Sequence, residues 1–447
     1  MGGGLLQLVA YGAQDAYLSG NPQITFWKSM FKRHTNFAME PFRINFNGQA
    51  SWGTKHSAIL GRHADLLYST YLEVVLPPGA VFNNDQGRLG YNLIRYVELD
   101  IGGQIIDRLY GEWLFLWDCL SSNSDQGMKL HRMVAAADVQ SSNDLALGKF
   151  TVPANASCTQ GTGNHAVLPT VVYVPLTFFY TRNPGAALPL IALQYHEVKI
   201  TLQWNDATFI SADFTAASGF PQPVQAAIYI DYIYLDTEER RRMAQQSHEY
   251  LIEQTQYNED KGISSYNNRI DLTFNHPVKE LVWVVQPTSY TNCSISRKFS
   301  NLHRLQPFTY DQAAVFEQWI QFNGQDRLDR RYGDYFNKVQ PYQHHTGSFN
   351  TIRNYNGYIQ TGEINPSNYN AGQLGAYMYS FALRPEEHQP SGTCNFSRID
   401  TATIVLTMNG SVVVDPSEDK TWDIRVYAVN YNILRIMSGM GGLAYSN

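Results

Sequence analysis

Two aspartates that could carry out acid–base chemistry occupy matching places in the sequence. Asp107 and Asp329 are each followed by an arginine, Arg108 and Arg330, and lie about 220 residues apart. Paired carboxylates act as general acid and general base only when both reach the same cleft. Because these two lie in separate halves of the chain, we expect each aspartate to form a structural pair with its neighbouring arginine.

The residue types that most often bind metals are scattered along the chain. The 12 histidines include one adjacent pair, His344 and His345, and the 4 cysteines form no C-x-x-C pair. No phosphate-binding loop, zinc-protease helix or nucleophile elbow occurs. Since a metal site needs three or four converging ligands, we predict no catalytic residue, no metal and no cofactor. We also predict free thiols at Cys119, Cys158, Cys293 and Cys394.

Four asparagines stand in the N-x-Ser/Thr pattern of glycan acceptors: Asn155, Asn292, Asn395 and Asn409. The pattern is short and arises often by chance. Asn155 lies in a long polar stretch, whereas Asn395 lies in a segment that we expect to be structured. We take Asn155, Asn292 and Asn409 as the candidate acceptors.

The overall composition favours β structure and large protein contacts. Aromatic residues make up 13% of the chain, charged residues only 16%, and the formal net charge is −6. A protein that coats nucleic acid is normally basic, so we predict no direct contact with nucleic acid. No apolar run is long enough for a membrane span and no charged leader precedes one, so we expect synthesis and folding in the cytosol.

An internal duplication is the most informative feature of the sequence. Residues 97–113 read VELDIGGQIIDRLYGEW, and residues 319–335 read WIQFNGQDRLDRRYGDY. Both contain Gly-Gln, then Asp-Arg, then Tyr-Gly followed by an acid and an aromatic residue. Two weaker matches keep the same order, 37–40 with 250–253 and 229–235 with 428–434. Ordered repeats indicate two copies of one structural unit.

The duplication predicts how the chain divides. We place an N-terminal arm at 1–26, a first domain at 27–236 and a second domain at 248–437. A short helical connector at 237–247 would begin at Asp236 or Thr237, since both residue types cap helices well. Residues 438–447 are glycine-rich and are expected to form a flexible C-terminal tail.

Both halves are predicted to be β-sandwiches. Short apolar or alternating runs suit strands, and long amphipathic helices are missing. We expect Val74, Val198, Val282 and Val426 in the cores. On one strand near the C-terminus, Arg425, Tyr427 and Val429 would face one side and Ile424, Val426 and Ala428 the other. Two long polar stretches, 121–163 and 340–372, read as loops that present a surface.

Several longer blocks of sequence are distinctive and run from end to end of the chain. They are LLQLVAYGAQD (5–15), GNPQITF (20–26), NPGAALPLIALQYHEV (183–198), LDTEER (235–240), YFNKVQPY (335–342), SGTCNFSRID (391–400) and NYNILRIMSGMGGLAY (430–445). These blocks resemble the major capsid proteins of nucleocytoplasmic large DNA viruses. The resemblance is strongest to those of chlorella viruses, with iridoviruses more distant.

The resemblance implies an all-β double jelly roll of two tandem eight-stranded antiparallel sandwiches, with long loops and no enzymatic activity. It implies a homotrimeric, pseudo-hexagonal capsomer that tiles an icosahedral shell around an internal membrane. Minor capsid, penton and cement proteins would be partners, with assembly in the host cytoplasm or virus factory. Two alternatives remain: a minor capsid or vertex protein of the same fold, and an enzyme or lectin built on paired jelly rolls.

Overall fold

The computed structural model describes residues 2–76, 81–82, 89–134, 165–166, 171–207, 222–223, 225–288, 315–349, 375–408 and 421–445. Contacts divide the chain into two compact units, Met1–Phe37 and Ala38–Asn447. The first unit holds two short helices, α1 (Gly3–Val9) and α2 (Asp15–Ser19), neither with a buried residue. The sheets belong to the second unit.

The strands from Phe37 to Leu235 form the first half of the fold. They are β1 (Phe37–Asn45), β2 (Lys55–Ile59), β3 (Leu66–Val75), β4 (Val81–Phe82), β5 (Ile94–Ile101), β6 (Gln104–Tyr110), β7 (His165–Ala166), β8 (Val171–Pro175), β9 (Leu188–Pro189), β10 (Val198–Trp204) and β11 (Gln225–Leu235). The helices among them are α3 (Leu89–Leu93), α4 (Gly111–Ser121), α5 (Ser124–Val134) and α6 (Phe179–Arg182), with 3-10 turns at Pro184–Ala186 and Leu190–Ala192.

Helix α7 (Thr237–Gln245) precedes the strands of the second half. These are β12 (His248–Ile263), β13 (Asn267–Leu272), β14 (Pro277–Pro287), β15 (Val315–Phe322), β16 (Gln325–Asp326), β17 (Arg331–Tyr332), β18 (Ala376–Ser380), β19 (Cys394–Asn395), β20 (Ala402–Met408), β21 (Trp422–Met437) and β22 (Met440–Leu443). A π-helical turn (Tyr335–Val339), helix α8 (Gln340–His344) and a 3-10 turn (Phe396–Arg398) complete it.

The two halves have the same strand order. In the first half the sheets run β1-β11-β3-β8 and β2-β10-β5-β6; in the second they run β12-β21-β14-β18 and β13-β20-β15-β16. In each half the first strand pairs with the last long strand, β1 with β11 and β12 with β21. The β11–β3, β12–β21, β13–β20 and β14–β21 pairings are antiparallel. Counting the short strands β9, β17, β19 and β22, the sheets have five and four strands in the first half and six and five in the second. Two sheets connected in this way make a jelly roll. The predicted tandem of two jelly rolls is therefore confirmed.

The repeated hairpin has the same turn in both halves. The β5–β6 turn uses Gly102 and Gly103, with φ of 62° and 89°, and the β15–β16 turn uses Asn323 and Gly324, with φ of 49° and 78°. Two consecutive residues with positive φ make a type I′ turn, which suits the twist of a tight hairpin. Glycine and asparagine are the residues that adopt this conformation at low cost.

The core residues predicted from the sequence are buried. Val74, Val198, Val282 and Val426 are at most 2% exposed. Strand β21 contributes to two cores, because its two faces pack into different clusters. Its Ile424, Val426 and Ala428 pack within the second jelly roll, whereas its Tyr427 and Val429 join a cluster that includes the first. The predicted division of this strand into two faces is confirmed.

Three local predictions were wrong. Residues 124–134, which we expected in a loop, form helix α5, and Gln340–His344 at the start of the second predicted loop form α8. The tail predicted to be flexible instead contains β22, which pairs with β21 from Leu434 to Met437. The sequence match of 229–235 with 428–434 aligns Tyr229 with Ala428, but the two side chains point in different directions. Ala428 points into the second core, whereas Tyr229 points outward, between the inward Ile228 and Ile230.

Candidate functional site

The most elaborate chemistry among the described residues lies between the two jelly rolls. The β6–α4 segment of the first half covers the outer face of sheet β12-β21-β14-β18. Its Tyr110 stacks on Tyr257 with ring centroids 4.5 Å apart, and its Trp113 lies 5.5 Å from Tyr427. Because α4 is enclosed in this contact zone, its apolar residues do not form a single stripe along one face. Its buried apolar side chains are Trp113, Leu114, Phe115, Leu116, Trp117, Cys119 and Leu120.

Asp107 joins the edge strand β6 to the second half. Its Oδ1 accepts hydrogen bonds from the backbone N–H of Thr255 at 3.0 Å and of Arg108 at 2.9 Å. The side chain of Gln254 donates to the carbonyl of Ile106 beside it. Burial raises the pKa of Asp107 to about 7, against the lowering effect of these N–H donors. Its carboxyl group therefore titrates near neutral pH.

The predicted pairing of each aspartate with the next arginine was wrong. The Arg108 side chain binds Glu98 on the neighbouring strand, with Nε 2.8 Å from Oε1, and lies over the ring of Tyr96. In the second half the Arg330 guanidinium lies 4.4 Å from the ring centre of Trp319. The side chains of Arg108 and Arg330 thus each reach the first strand of their hairpin, β5 or β15, whereas the Asp107 side chain contacts the other jelly roll.

A buried ion pair connects α4 to the two-faced strand β21. Arg425 Nε lies 2.8 Å and 3.0 Å from the two carboxylate oxygens of Glu112, and its Nη2 donates to Gln286 Oε1 at 2.5 Å. The side chains are only 9% and 19% exposed. Burial raises the pKa of Glu112, and the neighbouring guanidinium opposes that rise. Because the pair is shielded from solvent, removing either side chain would leave the other as a buried charge without its counter-ion.

A second ionic group lies beside Trp117. Glu253 binds Arg182 Nη1 at 2.5 Å through one oxygen and Lys279 Nζ at 2.7 Å through the other. Lys279 is fully buried and also donates to the carbonyl of Pro385 at 2.6 Å. The Arg182 guanidinium lies 4.2 Å from the Trp117 ring centre. Although burial acts to raise it, the pKa of Glu253 is lowered by these two cations.

The third ionic group is the triad Glu280–His345–Glu386. His345 Nε2 lies 2.8 Å from Glu280 Oε2 and its Nδ1 lies 2.9 Å from Glu386 Oε1; the His345 and Glu280 side chains are fully buried. Burial works against the charged ring, but the two carboxylates raise the pKa of His345 to about 9. The imidazolium holds the end of α8 against β14. Both ring nitrogens are engaged, so neither is available to a substrate.

The C-terminal strand β22 attaches to the first jelly roll. The N–H of Tyr195 donates to the carbonyl of Gly439 at 2.9 Å, and the N–H of Leu443 donates to Gln104 Oε1 at 3.3 Å. The backbone N–H of Gly441 also donates to His196 Nδ1 at 3.2 Å. The end of the chain therefore fastens the second half to the first.

One small cavity lies beside the second and third ionic groups. A cavity of about 50 Å³ is lined by Phe179, Arg182, Leu251, Glu253, Glu386 and His388, enough for one or two waters. No group of three or more His, Cys, Asp or Glu in the described ranges could hold a metal. No helix there is long and apolar enough to cross a membrane. Within the described ranges, Cys119 and Cys394 form no disulfide.

The three candidate glycan acceptors, Asn155, Asn292 and Asn409, lie outside the described residues, as do Cys158 and Cys293. Asn395, the fourth asparagine in the pattern, is exposed and its Oδ1 accepts the N–H of Ser397 at 3.1 Å. The candidate acceptors remain predictions.

Sequence reasoning missed the three ionic groups because their members come from distant parts of the chain. Glu112 and Arg425 are 313 residues apart, Arg182 and Glu253 are 71 apart, and Glu280 and His345 are 65 apart. The one available signal was the tyrosine-glycine-acid motif, which marks where α4 begins. It carried no information about the partner on the other half.

A pair of jelly rolls joined through one buried face is an architecture of viral shell proteins, although single jelly rolls also occur in lectins. Family models agree with the first of these classes. The family described as large eukaryotic DNA virus major capsid protein matches residues 239–442, and the one described as major capsid protein N-terminus matches residues 25–236.

Individual relatives give the same result over the whole chain. The major capsid protein of Pyramimonas orientalis virus is 46% identical and that of Paramecium bursaria Chlorella virus 1 is 40% identical, each over 100% of both chains. The crystal structure of VP54 from PBCV-1 matches with a TM-score of 0.73 and 34% identity, covering 95% of this chain and 100% of that one. The more distant Faustovirus major capsid protein, 13% identical with a TM-score of 0.66, shares the fold.

The chain belongs to the major capsid protein family of large eukaryotic DNA viruses. The predicted resemblance and the predicted role as a structural protein of the virion are therefore confirmed. Matches to the iridescent viruses are more distant, at 24% and 23% identity, as the sequence blocks indicated.

Proposed function

We propose that three copies of this chain associate into a homotrimeric, pseudo-hexagonal capsomer that tiles an icosahedral shell. The observation that carries the proposal is the repeated strand order, which gives each chain two similar lobes. Three chains then supply six similar lobes, and a six-lobed unit fills a hexagonal lattice. Closed cyclic rings are a common form of homo-oligomer.

The experiment is the mass of the purified full chain in solution, by light scattering after size exclusion. We expect one species at three times 50.7 kDa. A stable monomer over the whole accessible concentration range would overturn the proposal and favour a minor capsid role. Copy number in purified particles separates a major protein from a minor or vertex protein, because only the major protein is present in hundreds of copies or more.

We further propose a purely structural role without enzymatic activity. The buried ionic side chains are engaged with one another between the jelly rolls, and the cavity beside them has a volume of about 50 Å³, far below the roughly 300 Å³ or more of ordinary ligand sites. Turnover or binding in a screen of glycans would contradict this and support the lectin or hydrolase alternative.

The remaining expectations follow from the capsomer role. We propose the division into an arm (1–26), a first jelly roll (27–236), a connector (237–247), a second jelly roll (248–437) and a C-terminal segment (438–447). Partners would be neighbouring capsomers, minor capsid, penton and cement proteins, and an underlying membrane layer, with assembly in the host cytoplasm. The net charge of −6 supports the absence of direct nucleic-acid contact. Mass spectrometry of virion protein would test glycosylation at Asn155, Asn292 and Asn409.

A further inference from the structure

The first compact unit, Met1–Phe37, leaves its large apolar side chains in solvent. Each of its described residues is exposed, and neither α1 nor α2 buries a side chain. The exposed large apolar side chains of the unit are Leu5, Leu6, Leu8, Val9, Tyr11, Tyr17, Leu18, Ile24, Phe26, Trp27, Met30, Phe31 and Phe37. Exposed apolar groups concentrated in one part of a soluble chain mark a surface that binds a protein or a membrane.

The tryptophan of this unit differs from the others in its exposure. Trp27 is 95% exposed, whereas the other seven tryptophans of the chain are at most 8% exposed. Its neighbours Phe26 and Phe31 are 86% and 89% exposed. Tryptophan has an apolar ring and a polar N–H, and for that reason it is enriched where a membrane meets water. The position of Trp27 therefore indicates a surface that is covered when a partner binds.

Basic side chains accompany these aromatic side chains. Residues 1–37 contain Lys28, Lys32 and Arg33 against a single acid, Asp15, in a chain whose net charge is −6. All three basic residues are exposed. Basic side chains are attracted to the negatively charged headgroups of a membrane over distances of about a Debye length. The local charge is thus opposite in sign to that of the whole chain, and it favours an anionic partner.

The order of residues 26–33 would give a helix two distinct faces. At 3.6 residues per turn, one arc of about 140° holds the apolar residues Phe26, Trp27, Met30 and Phe31. Lys28 and Lys32 fall on the opposite side. In the structure these residues form a turn at 26–28 and no helix, so nothing within the chain uses the pattern. Helices with an aromatic apolar face and a lysine-rich polar face lie in the plane of a membrane surface.

We propose that residues 26–33, the amphipathic segment, fold into a helix on the surface of an anionic phospholipid bilayer. The rings of Trp27 and Phe31 would enter the boundary between headgroups and acyl chains, and the ammonium groups of Lys28 and Lys32 would bind the headgroups. This inference rests on the proposed membrane layer beneath the shell and names the residues that touch it. The occupant is a bilayer because an apolar layer beneath a layer of negative charge matches both faces of the segment at once.

The test is co-sedimentation of the full chain with vesicles. The probes are vesicles of phosphatidylcholine alone and vesicles in which about one quarter of the lipid is phosphatidylserine. We expect binding to the second kind, and binding to the first kind at least about tenfold weaker. Each basic side chain near an anionic surface contributes about a factor of five, so Lys28→Gln with Lys32→Gln should weaken binding about 25-fold. Trp27→Ser with Phe31→Ser removes the apolar anchors and should weaken binding at least as much.

Matched controls carry the same kinds of change at exposed positions outside Met1–Phe37. Arg241→Gln with Arg242→Gln removes two positive charges from α7. Tyr266→Ser with Leu383→Ser removes two apolar side chains that are 49% and 73% exposed. Both controls should bind vesicles as the wild type does. Because no residue of the amphipathic segment is buried, its variants should keep the fold, which circular dichroism verifies.

Trp27 also reports directly where the segment lies. Brominated phosphatidylcholine quenches the fluorescence of tryptophans that reach the acyl chains, and the other seven tryptophans are buried. Vesicles that contain this lipid should quench part of the wild-type fluorescence. In Trp27→Phe the quenching should disappear while co-sedimentation persists, because phenylalanine keeps an apolar ring at this position.

Two results would overturn the inference: no binding to phosphatidylserine vesicles, which favours a protein as the occupant, or equal binding by the wild type and both segment variants. Quenching that persists in Trp27→Phe would overturn it as well, since the contact would then lie elsewhere on the chain. Light scattering of the same samples separates this inference from the capsomer. A trimer that does not bind the vesicles refutes the membrane contact alone, whereas a monomer that binds them refutes the capsomer alone.

Discussion

The ion pair between Glu112 and Arg425 offers the sharpest test of how the two jelly rolls are held together. We consider Arg425→Met, which keeps much of the side-chain length but removes the guanidinium. Glu112 would then be left partly buried without its cation, and Gln286 would lose the donor to its Oε1. Breaking a buried pair on one side typically costs about 3–5 kcal/mol. Because Glu112 keeps 19% exposure, we expect the lower end, about 3 kcal/mol.

The same strand provides the control. Arg435 also pairs with a glutamate, Glu249, at 2.8 Å, but these side chains are 51% and 58% exposed. Exposed pairs contribute about 0–1 kcal/mol, so Arg435→Met should change the free energy of unfolding by less than about 1 kcal/mol. The double variant Glu112→Leu with Arg425→Met should regain most of the stability, since it leaves no unpaired buried charge.

Urea unfolding followed by tryptophan fluorescence is the appropriate assay, because Trp113 and Trp117 lie in the same contact zone. Protein concentration must be equal for all variants, since oligomers gain apparent stability with concentration. The expected loss of about 3 kcal/mol corresponds to about two orders of magnitude in the folding equilibrium. If Arg425→Met loses no more stability than Arg435→Met, the view that this buried pair holds the halves together is wrong.

Three further predictions concern the contact between the halves. The pKa of Asp107 is raised from 3.8 to about 7, so its contribution to stability is full below 3.8 and is lost as pH rises through about 7. Asp107→Asn keeps the oxygen that accepts from Thr255. Relative to the wild type, it should gain up to about 4 kcal/mol in free energy of unfolding between pH 4 and 8. Urea midpoints of the two proteins that change in parallel across that range would contradict this. The pKa of His345 is raised from 6.5 to about 9, so its contribution is present below 6.5 and is lost as pH rises through about 9. His345→Gln should therefore be less stable than wild type by about 3 kcal/mol at pH 6, with the gap closing by pH 10; a gap independent of pH would refute the triad. Deleting residues 438–447 removes the hydrogen bonds to Tyr195, His196 and Gln104. It should lower the free energy of unfolding by about 3 kcal/mol, at about 1 kcal/mol for each bond, whereas deleting only 446–447 should not. Equal urea midpoints for the two deletions would show that β22 does not fasten the halves.

The duplicated fold was predictable because its signals are local. A type I′ hairpin needs glycine or asparagine at two adjacent positions, so Gly102-Gly103 and Asn323-Gly324 mark the same turn in both halves. The two-residue period of strand side chains gave both faces of β21 correctly for residues 424–429, which are all buried but alternate between two cores. These patterns depend on neighbours in sequence, and for that reason one chain is enough to reveal them.

Other features depend on tertiary context and escaped prediction. Helix α4 is buried on nearly every side between two sheets, so it lacks the polar face by which helices are recognised. In β22, Gly441 approaches Leu193 and Ile101 too closely for any side chain. The glycines that suggested a flexible tail are thus explained by close packing. The Thr255 N–H that binds Asp107 and the Glu112 carboxylate that binds Arg425 each lie on the other jelly roll, where no spacing rule applies.

Strand β21 also constrains the timing of folding during synthesis. It spans Trp422–Met437, it contributes to both cores, and it follows in the chain both of the long strands that it pairs with, β12 and β14. Until the ribosome has released this segment, β12 and β14 lack the neighbour that pairs with both of them, and the Glu112 carboxylate lacks its cation. A prematurely terminated chain therefore cannot present a finished second lobe. A truncated product would instead expose the strand edges of β12 and β14 that β21 covers in the complete fold.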